Sequence, residues 1–474
     1  MIPARLEWLV AGDAPSTRLA RAFGDAGSSL YLVGGSVRDA LLERDSPDLD
    51  FTTPARPEQV KEIAEAFGGT VFTVGEAFGT IGLIVDGETF EITTFRKEIY
   101  RDDSRKPHVE YSDDIATDLS RRDFAVNAMA LDILAKELID PFGGLTDLAA
   151  GMLRTPIGPE VSFSDDPLRM LRMYRFVSTL GFAPSEPAEV AVKEMAARLE
   201  IVSAERIRDE LDKLLVGDHV GDALWGLVES GLAEHFLPEF AKLADAVDPY
   251  HRHKDVLSHT IAVVEKTSPT VRLRLAALLH DIGKPETREF GPNGVSFHHH
   301  EVVGARMARH RMRELRYPRE TVRDVGDLVF LHLRPHTFAM GWTDSAVRRY
   351  VRDAGHLLDD LNELVRCDVT TKNANRAEAI QRRIDELEER IDVLREQEEL
   401  AALRPPVDGT QVMAYLGLTP GPQVGEVMRM LLEHRIEVGP YSEDEAYQLV
   451  RTWADEAGVG VPDPDARPPA KEKE

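Results

Sequence analysis

A change of residue periodicity near position 165 most constrains the fold of this chain of 474 residues. Before that point, short β-branched and aromatic runs alternate with helical patterns, as where Leu30–Val33 leads into Gly34-Gly35 and an apolar helix. After it, apolar residues recur at every third or fourth position, which is typical of helices that pack on one another. We therefore predict a mixed α/β head followed by a mostly α-helical remainder.

The length supports several compact units, because domains average about 150 residues. The changes of pattern predict an α/β head at residues 1–150, a helical neck at 151–245 and a histidine-rich helical domain at 246–375. A C-terminal helical region at 376–460 and a disordered, proline-rich tail at 461–474 complete the predicted domain order.

Composition restricts the compartment and the class of protein. The single cysteine, Cys367, excludes an internal disulfide and a thiolate zinc site, and this fits a reducing cytosol. The sequence contains no apolar run as long as a membrane span and no signal-peptide core at its N-terminus. We expect a cytoplasmic protein without a membrane partner.

The charge balance restricts how nucleic acid could bind. The chain has 57 basic and 83 acidic residues, a formal net charge of −26, which repels a polyphosphate at long range. Any contact with RNA must therefore be local. Carboxylates also hold the metals of phosphoryl-transfer sites, so an acidic chain is compatible with metal-dependent chemistry.

Two carboxylates follow the first predicted strand and helix. Asp48 and Asp50 share one strand, and the two-residue period of a strand points both to the same face. Such a pair can bridge two magnesium ions, one activating an attacking 3′-hydroxyl and the other holding the leaving pyrophosphate. Glu91 fits a third acid on a neighbouring strand. The alternatives are a solvated Asp-x-Asp turn and an exposed strand residue at Glu91.

Glycines and arginines near these acids suggest a nucleotide site. Gly34–Ser36 connects a strand to a helix, where a chain without Cβ atoms can approach phosphates, and Arg38 follows on the first helical turn. Arg121–Asp123 places two guanidinium groups beside an acid, which suits phosphate and sugar recognition. Glycines of this kind can also simply form a turn.

A later helix carries a pattern that could read a base. Asp166 and Arg169 lie one turn apart, and Arg172 and Arg175 continue the basic face. One Asp acceptor with one Arg donor matches the Watson–Crick edge of cytosine or adenine, whereas uracil and guanine present the reverse order. Each mismatched charged hydrogen bond costs about 1–3 kcal/mol. The alternative is a solvated basic face.

These motifs resemble the CCA-adding tRNA nucleotidyltransferases of the bacterial and eukaryotic class, which are relatives of bacterial poly(A) polymerases. In chain order the matching motifs are Gly34-Gly35 with Val37, Arg38 and Asp39, then Asp48 and Asp50, Arg121–Phe124 with Asn127, Asp140–Leu145, Asp166 with Arg169, Arg172 and Arg175, and Glu205–Ile207. Two positions depart from the commoner pattern, because Asp165 stands where glutamate is usual and Ala125 where threonine is usual.

The resemblance implies a polymerase-β-like mixed sheet in the head and CCA addition to the 3′ end of tRNA from CTP and ATP. It implies magnesium at Asp48 and Asp50, and nucleotide contacts by Gly35, Arg38, Arg122, Asp166, Arg169, Arg172 and Arg175. The stretch Arg96–Asp114 resembles the flexible loop of CCA-completing members and favours full CCA addition over C-only addition. A poly(A) polymerase acting on RNA 3′ ends, which would share every head motif, and a metal phosphohydrolase with a non-catalytic head are the alternatives.

A second group of residues suits a metal. His280-Asp281 ends an apolar helical run, and His259, His300, His332 and Asp368 fall on other helical segments. Imidazole with carboxylate favours manganese, nickel, iron or magnesium over a thiolate zinc site. The spacing resembles the HD superfamily of metal phosphohydrolases, which implies phosphatase or 2′,3′-cyclic phosphodiesterase action on RNA ends. A purely structural domain is the alternative.

One helix also has a short heptad pattern. Its apolar positions are Ile380, Ile384, Leu387, Ile391 and Leu394. Packing on neighbouring helices of the same chain is favoured over dimerisation, and the sequence leaves the oligomeric state open.

Overall fold

The computed structural model describes residues 2–12, 14–44, 49–73, 79–85, 87–99, 108–245, 256–291, 294–369, 374–398 and 404–460. Asp48, the first of the two predicted magnesium ligands in the head, lies outside these ranges. The chain divides into two compact units, one of residues 1–275 with 310–322 and one of residues 276–309 with 323–474.

The first unit contains a mixed β-sheet, as predicted. Its strands, in chain order, are β1 (Tyr31–Val33), β2 (Leu49–Thr53), β3 (Thr70–Phe72), β4 (Thr80–Val85), β5 (Glu88–Thr94), β6 (Arg96–Ile99), β7 (His108–Tyr111), β8 (Ala130–Asp132), β9 (Glu137–Ile139), β10 (Met152–Leu153) and β11 (Ala183–Pro184). Seven of them form one sheet in the order β3-β4-β5-β2-β1-β8-β9, in which β2 and β5 are parallel and the other neighbours antiparallel. Strands β6 and β7 form a separate hairpin, and β10 and β11 a short parallel pair.

Helices pack on this sheet and continue beyond it. Those of the first unit are α1 (Pro15–Asp25), α2 (Gly35–Leu41), α3 (Pro57–Phe67), α4 (Ile115–Ser120), α5 (Gly144–Ala150), α6 (Pro159–Asp165), α7 (Leu168–Leu180), α8 (Glu186–Met195), α9 (Ala204–Leu215), α10 (Val220–Glu229), α11 (Pro238–Ala241) and α12 (Val256–Lys266). Three further helices have residues in both units: α13 (Val271–Leu279), α14 (His300–Glu314) and α15 (Arg319–Leu331).

The head core follows from strand alternation. Phe90 and Ile92 of β5 are buried with Phe51 of β2 in a cluster that includes Leu19 of α1 and Val60 of α3. Because successive side chains of a strand point to opposite faces, the residues between these apolar positions face away from the core. One face of the sheet therefore packs on α1 and α3, while the opposite face carries polar side chains at Asp50 and Glu91 and a smaller apolar cluster of Val33, Leu119 and Ala130.

The second unit is a helical assembly with one hairpin. Its strands β12 (Arg288–Gly291) and β13 (Gly294–Phe297) pair antiparallel, and its remaining helices are α16 (Asp344–Ala354), α17 (Leu358–Cys367), α18 (Ala374–Glu398), α19 (Gly409–Leu416), α20 (Pro422–Val438) and α21 (Glu443–Glu456). Helices α19–α21 enclose a small core that includes Val412, Leu431 and Val450.

The heptad positions of α18 pack within the chain. Ile384, Leu387, Ile391 and Leu394 are at most 3% exposed, and α18 contacts α16 and α17. Packing on neighbouring helices, the favoured interpretation of this pattern, therefore accounts for its apolar side chains. Within the described ranges, none of the helices has both the length and the apolar character needed to cross a membrane.

Candidate active site and metal centre

The acids of the head lie side by side on the polar face of the sheet. In the parallel pairing of β2 with β5, Asp50 is directly opposite Glu91, on strands about 4.8 Å apart. Asp50 is half-buried and Glu91 exposed, while their neighbours Phe51 and Phe90 enter the core. The sheet thus brings together two of the three acids predicted from the sequence. Adjacent carboxylate oxygens are the donors that Mg²⁺ prefers, so these residues fit the predicted metal.

Gly34 allows an arginine to approach these acids. Its φ is +71°, and a Cβ atom there would lie 2.7 Å from Nη1 of Arg122 and 3.9 Å from Oδ2 of Asp50. Any larger residue would therefore collide with the guanidinium group, in a conformation that glycine adopts most easily. Arg122, predicted to contact the nucleotide, lies between the glycine turn and the acidic strand. Gly35, which begins α2, lies near Arg38, since a Cβ at Gly35 would be 3.6 Å from Nη2 of Arg38.

Arg38 is held by its neighbours rather than extended into solvent. Its Nε and Nη2 atoms each donate to Asp39 at 2.8 Å, and Nη1 donates to Oδ1 of Asn127 at 2.6 Å. Its guanidinium carbon also lies 5.0 Å from the ring centroid of Phe176. These contacts fix the direction of a cation close to Gly35 and leave it 9% exposed.

Asp118, which was not predicted from the sequence, organises the arginine pair. Its carboxylate, which is fully buried, lies 2.7 Å from Nη2 of Arg121 and 3.6 Å from Nη2 of Arg122. It also accepts hydrogen bonds from the Thr52 hydroxyl and the Arg96 amide, each at 3.3 Å. Burial alone would raise the pKa of Asp118, but the two guanidinium charges outweigh it and hold this pKa below its ordinary value.

A buried ion network joins α7 to α9. Asp123 lies 2.6 Å from Nη2 of Arg172, whose Nη1 lies 3.1 Å from Glu210. Glu210 also lies 3.1 Å from Nε of Arg175, and Asn127 donates to Asp123 at 2.8 Å. Burial and the nearby Arg172 lower the pKa of Arg175 to about 10, so it stays charged at neutral pH.

The basic face of α7 is therefore paired with acids, and Arg169 is 7% exposed, whereas the side chain of Arg172 is 30% exposed. Glu210 is 5% exposed and lies between apolar Ile207 and Leu214 on α9. An acid at a core-facing helical position is the sequence signal that could have identified it.

The two residues predicted to read the base have different hydrogen-bond partners. Asp166 accepts from Nη2 of Arg206 at 2.6 Å. Arg169, which is 7% exposed, donates to the Ser162 hydroxyl at 2.8 Å and to the backbone carbonyl of Arg121. The two side chains would have to exchange these partners to meet a base edge.

The second unit gathers ligands for a metal. One atom each from Asp281, His300 and His332 lies within 4.8 Å of the other two, and all three residues are buried. His280 lies beside them, with Nε2 at 3.2 Å from Oδ2 of Asp281 and 3.5 Å from Oδ1 of Asp368. The structure thus brings five of the six predicted ligands together in this unit. His259 lies half-buried on α12 of the first unit, and its participation stays a prediction.

The histidines are oriented in the same way. Nδ1 of His280, His300 and His332 lies 2.7, 2.8 and 2.6 Å from the backbone carbonyl three residues earlier. Because a carbonyl only accepts, each Nδ1 carries a proton, so Nε2 is the ligand atom of each ring in its neutral form. Nε2 of His332 is buried and has no hydrogen-bond partner among the described residues. This donor set fits a divalent transition metal.

Charges inside this cluster are strongly coupled. Burial opposes a charge on His280, but Asp281 and Asp368 outweigh burial and raise the pKa of His280 to about 10. Burial and the charge of His280 lower the pKa of His332 to about 3. Lys284, which was not predicted from the sequence, lies with its Nζ atom 2.5 Å from Oδ2 of Asp281. Its position one turn after the His-Asp pair was the available signal.

A mixed sheet with adjacent acids, followed by helices and a His/Asp cluster, defines a nucleotidyltransferase head joined to an HD domain. The chain matches the family models described as "Poly A polymerase head domain" at residues 30–154, "Probable RNA and SrmB- binding site of polymerase A" at 181–243 and "HD domain" at 256–373. It is 34% identical over 439 residues to the A-adding tRNA nucleotidyltransferase of Deinococcus radiodurans, covering 90% of this chain and 95% of that protein. The chain belongs to the tRNA nucleotidyltransferase family, which confirms the resemblance inferred from its motifs.

Other relatives match over a shorter stretch. The CCA-adding enzyme of Lactobacillus helveticus is 41% identical over 227 residues, covering 48% of this chain and 55% of that enzyme. The CCA-adding enzyme of Bacillus subtilis is 40% identical over 235 residues, covering 49% and 55%. The chain thus aligns with about half the length of these CCA-adding relatives.

Solved structures support the fold. The crystal structure of the Bacillus stearothermophilus CCA-adding enzyme in complex with CTP matches with a TM-score of 0.67 at 24% identity, over 97% of this chain and 100% of that one. The Thermotoga maritima CCA-adding enzyme complexed with tRNA matches with a TM-score of 0.57 at 20% identity, over 94% and 98%. At these identities the likeness shows a shared architecture.

Proposed function

We propose that this protein adds nucleotides to the 3′ end of tRNA, and that it builds CCA from CTP and ATP. The observation that carries this proposal is the pairing of Asp50 with Glu91 beneath the Gly34 turn and Arg122. Carboxylate oxygens that would hold a metal and a guanidinium group that would hold a phosphate thus lie within one small region of the head, which supports the proposal. Relatives named for tRNA 3′-end addition support the choice of acceptor.

In this proposal the acids hold magnesium and the arginines hold the triphosphate. Asp48, Asp50 and Glu91 would be the ligands. When bound, a pair of magnesium ions would activate the 3′-hydroxyl and neutralise the departing pyrophosphate. Arg122 would contact the phosphates from beside Gly34, and Arg38 would contact them from the start of α2.

Base choice would rest with α7 and its N-terminal turn. Asp166 would leave Arg206 and Arg169 would leave the Arg121 carbonyl, so that one acceptor and one donor face the base. Arg172 and Arg175 would support this arrangement through Asp123 and Glu210. Those bonds are buried, which favours a fixed template over a flexible one.

Addition of the terminal A alone is a second candidate. The Deinococcus radiodurans relative, which matches this chain over nearly its whole length, is named as an A-adding enzyme. The stretch Arg96–Asp114, part of which lies outside the described residues, favours full CCA addition over C-only addition by its resemblance and leaves A-only addition open. The relatives named for addition to tRNA favour tRNA as the acceptor over the unrelated RNA 3′ ends that a poly(A) polymerase would extend.

One experiment distinguishes these outcomes. Purified protein is incubated with tRNA ending before CCA, in C and in CC, with CTP or ATP supplied singly, and the product lengths are measured. CCA addition predicts C incorporation on the first two substrates and a single A on the third. Extension of the CC substrate alone would identify an A-adding enzyme. Long A tracts on unrelated RNAs would identify a poly(A) polymerase.

We also propose that the HD unit hydrolyses phosphate esters at RNA ends or 2′,3′-cyclic phosphates. The buried Asp281, His300 and His332 group supports this proposal, because a wholly structural core rarely leaves a histidine nitrogen without a partner. Hydrolysis should require nickel, manganese, iron or magnesium. The cytoplasmic location and the domain boundaries at residues 150, 245 and 375 stay predictions.

A further inference from the structure

The β12–β13 hairpin belongs to the unit that holds the metal ligands. Its register pairs Arg288 with Phe297 and Phe290 with Val295, so these four residues share one face of the two-stranded sheet. Glu289, which pairs with Ser296, lies on the other face. One face of the hairpin therefore carries a cation and aromatic rings, and the acid Glu289 lies on the opposite face.

This face begins at the metal cluster. The backbone carbonyl of Phe297 accepts the Nδ1–H of His300 at 2.8 Å. The Phe297 ring centroid is 5.8 Å from Nζ of Lys284, and that nitrogen is 2.5 Å from Oδ2 of Asp281. Phe297, at one end of the hairpin, thus contacts the predicted metal ligand His300 and also Lys284, the ion-pair partner of the predicted ligand Asp281.

The face continues outward with a second cation and a second ring. The Arg288 guanidinium carbon lies 4.6 Å from the centroid of the Phe290 ring. Phe290 is 66% exposed, the most of any large apolar side chain among the described residues. Two residues along a strand span about 7 Å, a distance similar to that between the phosphate and the base of one nucleotide. An isolated exposed apolar residue needs no explanation, but alternation of cation and ring does.

We propose that this face binds the terminal nucleotide of an RNA at the HD metal centre, with its base stacked on Phe290 and its phosphate near Lys284. The proposal rests on the hydrolytic activity proposed above. Charge complementarity supports this occupant, because Lys284 and Arg288 would meet an anion, while aromatic rings stack on any base. Adenine, cytosine and uracil ends should therefore bind similarly.

The kinetic test uses the full chain with manganese and two substrates: 2′,3′-cyclic AMP, and glycerol 2-phosphate as a substrate without a base. Phe290→Ala should raise the KM for the cyclic nucleotide about ten-fold, leave its kcat unchanged and leave glycerol 2-phosphate hydrolysis unchanged. Phe290→Trp should restore the parent KM. Glu289→Ala, on the opposite face, is the matched control and should behave as the parent. Equal effects of Phe290→Ala on both substrates, or no effect on either, would overturn the proposal.

A binding test separates failure of this proposal from failure of the hydrolase. A short RNA with a 3′-phosphate and a terminal 5-iodouridine is irradiated with the full chain, and the crosslinked peptide is identified by mass spectrometry. A crosslink within residues 288–297 without hydrolysis would support the binding face and reject the hydrolase. No crosslink there would reject the binding face, even if the parent hydrolyses both substrates. A dimer that dissociates in Phe290→Ala, again without a crosslink, would assign this face to a second copy of the chain.

Discussion

At the residue scale, Asp50 and Glu91 are predicted to carry the transfer chemistry. Asp50→Asn should lower the rate of nucleotide addition about 100-fold or more, because the loss of a metal ligand costs several kcal/mol in the transition state. Glu91→Gln should lower it about ten-fold or more. Single-turnover addition to tRNA ending in CC measures both effects.

Glu88, which is exposed at the start of β5, the strand that carries Glu91, provides the control for these variants. Glu88→Gln should add nucleotides at the parent rate. The unfolding free energy of Asp50→Asn should stay within about 1 kcal/mol of the parent, since its carboxylate lies outside the core. Full activity in both Asp50→Asn and Glu91→Gln would contradict the assignment of nucleotide addition to these acids of the head.

Asp166 and Arg169 share a predicted role in base selection, but their replacement should lower the stability of the protein by different amounts. Asp166→Ala loses an ion pair with Arg206, whose side chain is 46% exposed, and this should cost about 0–1 kcal/mol. Arg169→Ala leaves the buried Ser162 hydroxyl and the Arg121 carbonyl without their donor, at a cost of about 1–3 kcal/mol. Both variants should incorporate UTP more readily. Melting curves and nucleotide competition measure the two effects, and unchanged UTP exclusion in Asp166→Ala would contradict the base-reading role.

The sequence predicts some of these residues because their evidence is local. The two-residue period of a strand is enough to place Glu91 opposite the core face, and the structure sets it beside Asp50. Asp118 could not be found in this way. Its contacts come from Thr52 on β2, the Arg96 amide on β6 and the arginines that follow α4, and no local pattern predicts that these meet.

At the scale of elements, the Asp123 network should govern how α7 packs on α9. Asp123→Asn should cost about 3–5 kcal/mol at neutral pH, because it leaves Arg172 with a weakened partner in a buried site. Asp209→Asn is the matched control. Asp209 neighbours Glu210 on α9 but its side chain is 55% exposed, so its loss should cost about 0.5 kcal/mol or less. Urea unfolding measures both.

The network also predicts a pH dependence. Arg172 and the Asn127 amide hold the pKa of Asp123 far below its ordinary value despite burial. A depressed pKa contributes stability above the unfolded value of about 3.9, and this contribution is lost as the pH falls toward the folded value. The deficit of Asp123→Asn relative to the parent should therefore be the same at pH 7 and pH 5 and shrink below about pH 4. A deficit that grew on acidification would contradict this ionisation.

The type and order of the strands and helices could largely be predicted from the sequence, whereas the strands and helices on which each one packs could not. The strand at Leu30–Val33 and the helical remainder follow from periodicity, and the structure has β1 at Tyr31–Val33. The parallel pairing of β2 with β5 depends on the whole sheet. The burial of Arg169 and the ion pairs of Arg172 and Arg175 likewise depend on residues far away in the chain. A polar face on a helix predicts solvent exposure unless acids on another helix, such as Glu210, meet it.

At the scale of the whole molecule, two chemically different metal sites are predicted to work independently. The acids of β2 and β5 offer hard oxygen ligands, whereas Asp281, His300 and His332 combine imidazole with carboxylate. His332→Ala should abolish bound transition metal and any phosphatase or cyclic phosphodiesterase activity, but leave addition to tRNA near the parent rate. Metal analysis of the purified protein and parallel assays of both activities measure this separation.

His299, a histidine next to the predicted ligand His300, provides the control for His332→Ala. It precedes His300 in the chain, yet its side chain is 83% exposed, so His299→Ala should retain the metal and both activities. A melting curve of His332→Ala distinguishes loss of metal from loss of fold, because removing a ligand leaves the apolar core of the second unit intact. Nucleotide addition that fell in step with metal content, at an unchanged melting temperature, would mean that the two sites are coupled. If the parent binds no transition metal and hydrolyses no RNA-end phosphate with nickel, manganese, iron or magnesium, the HD unit has a structural role in supporting tRNA binding.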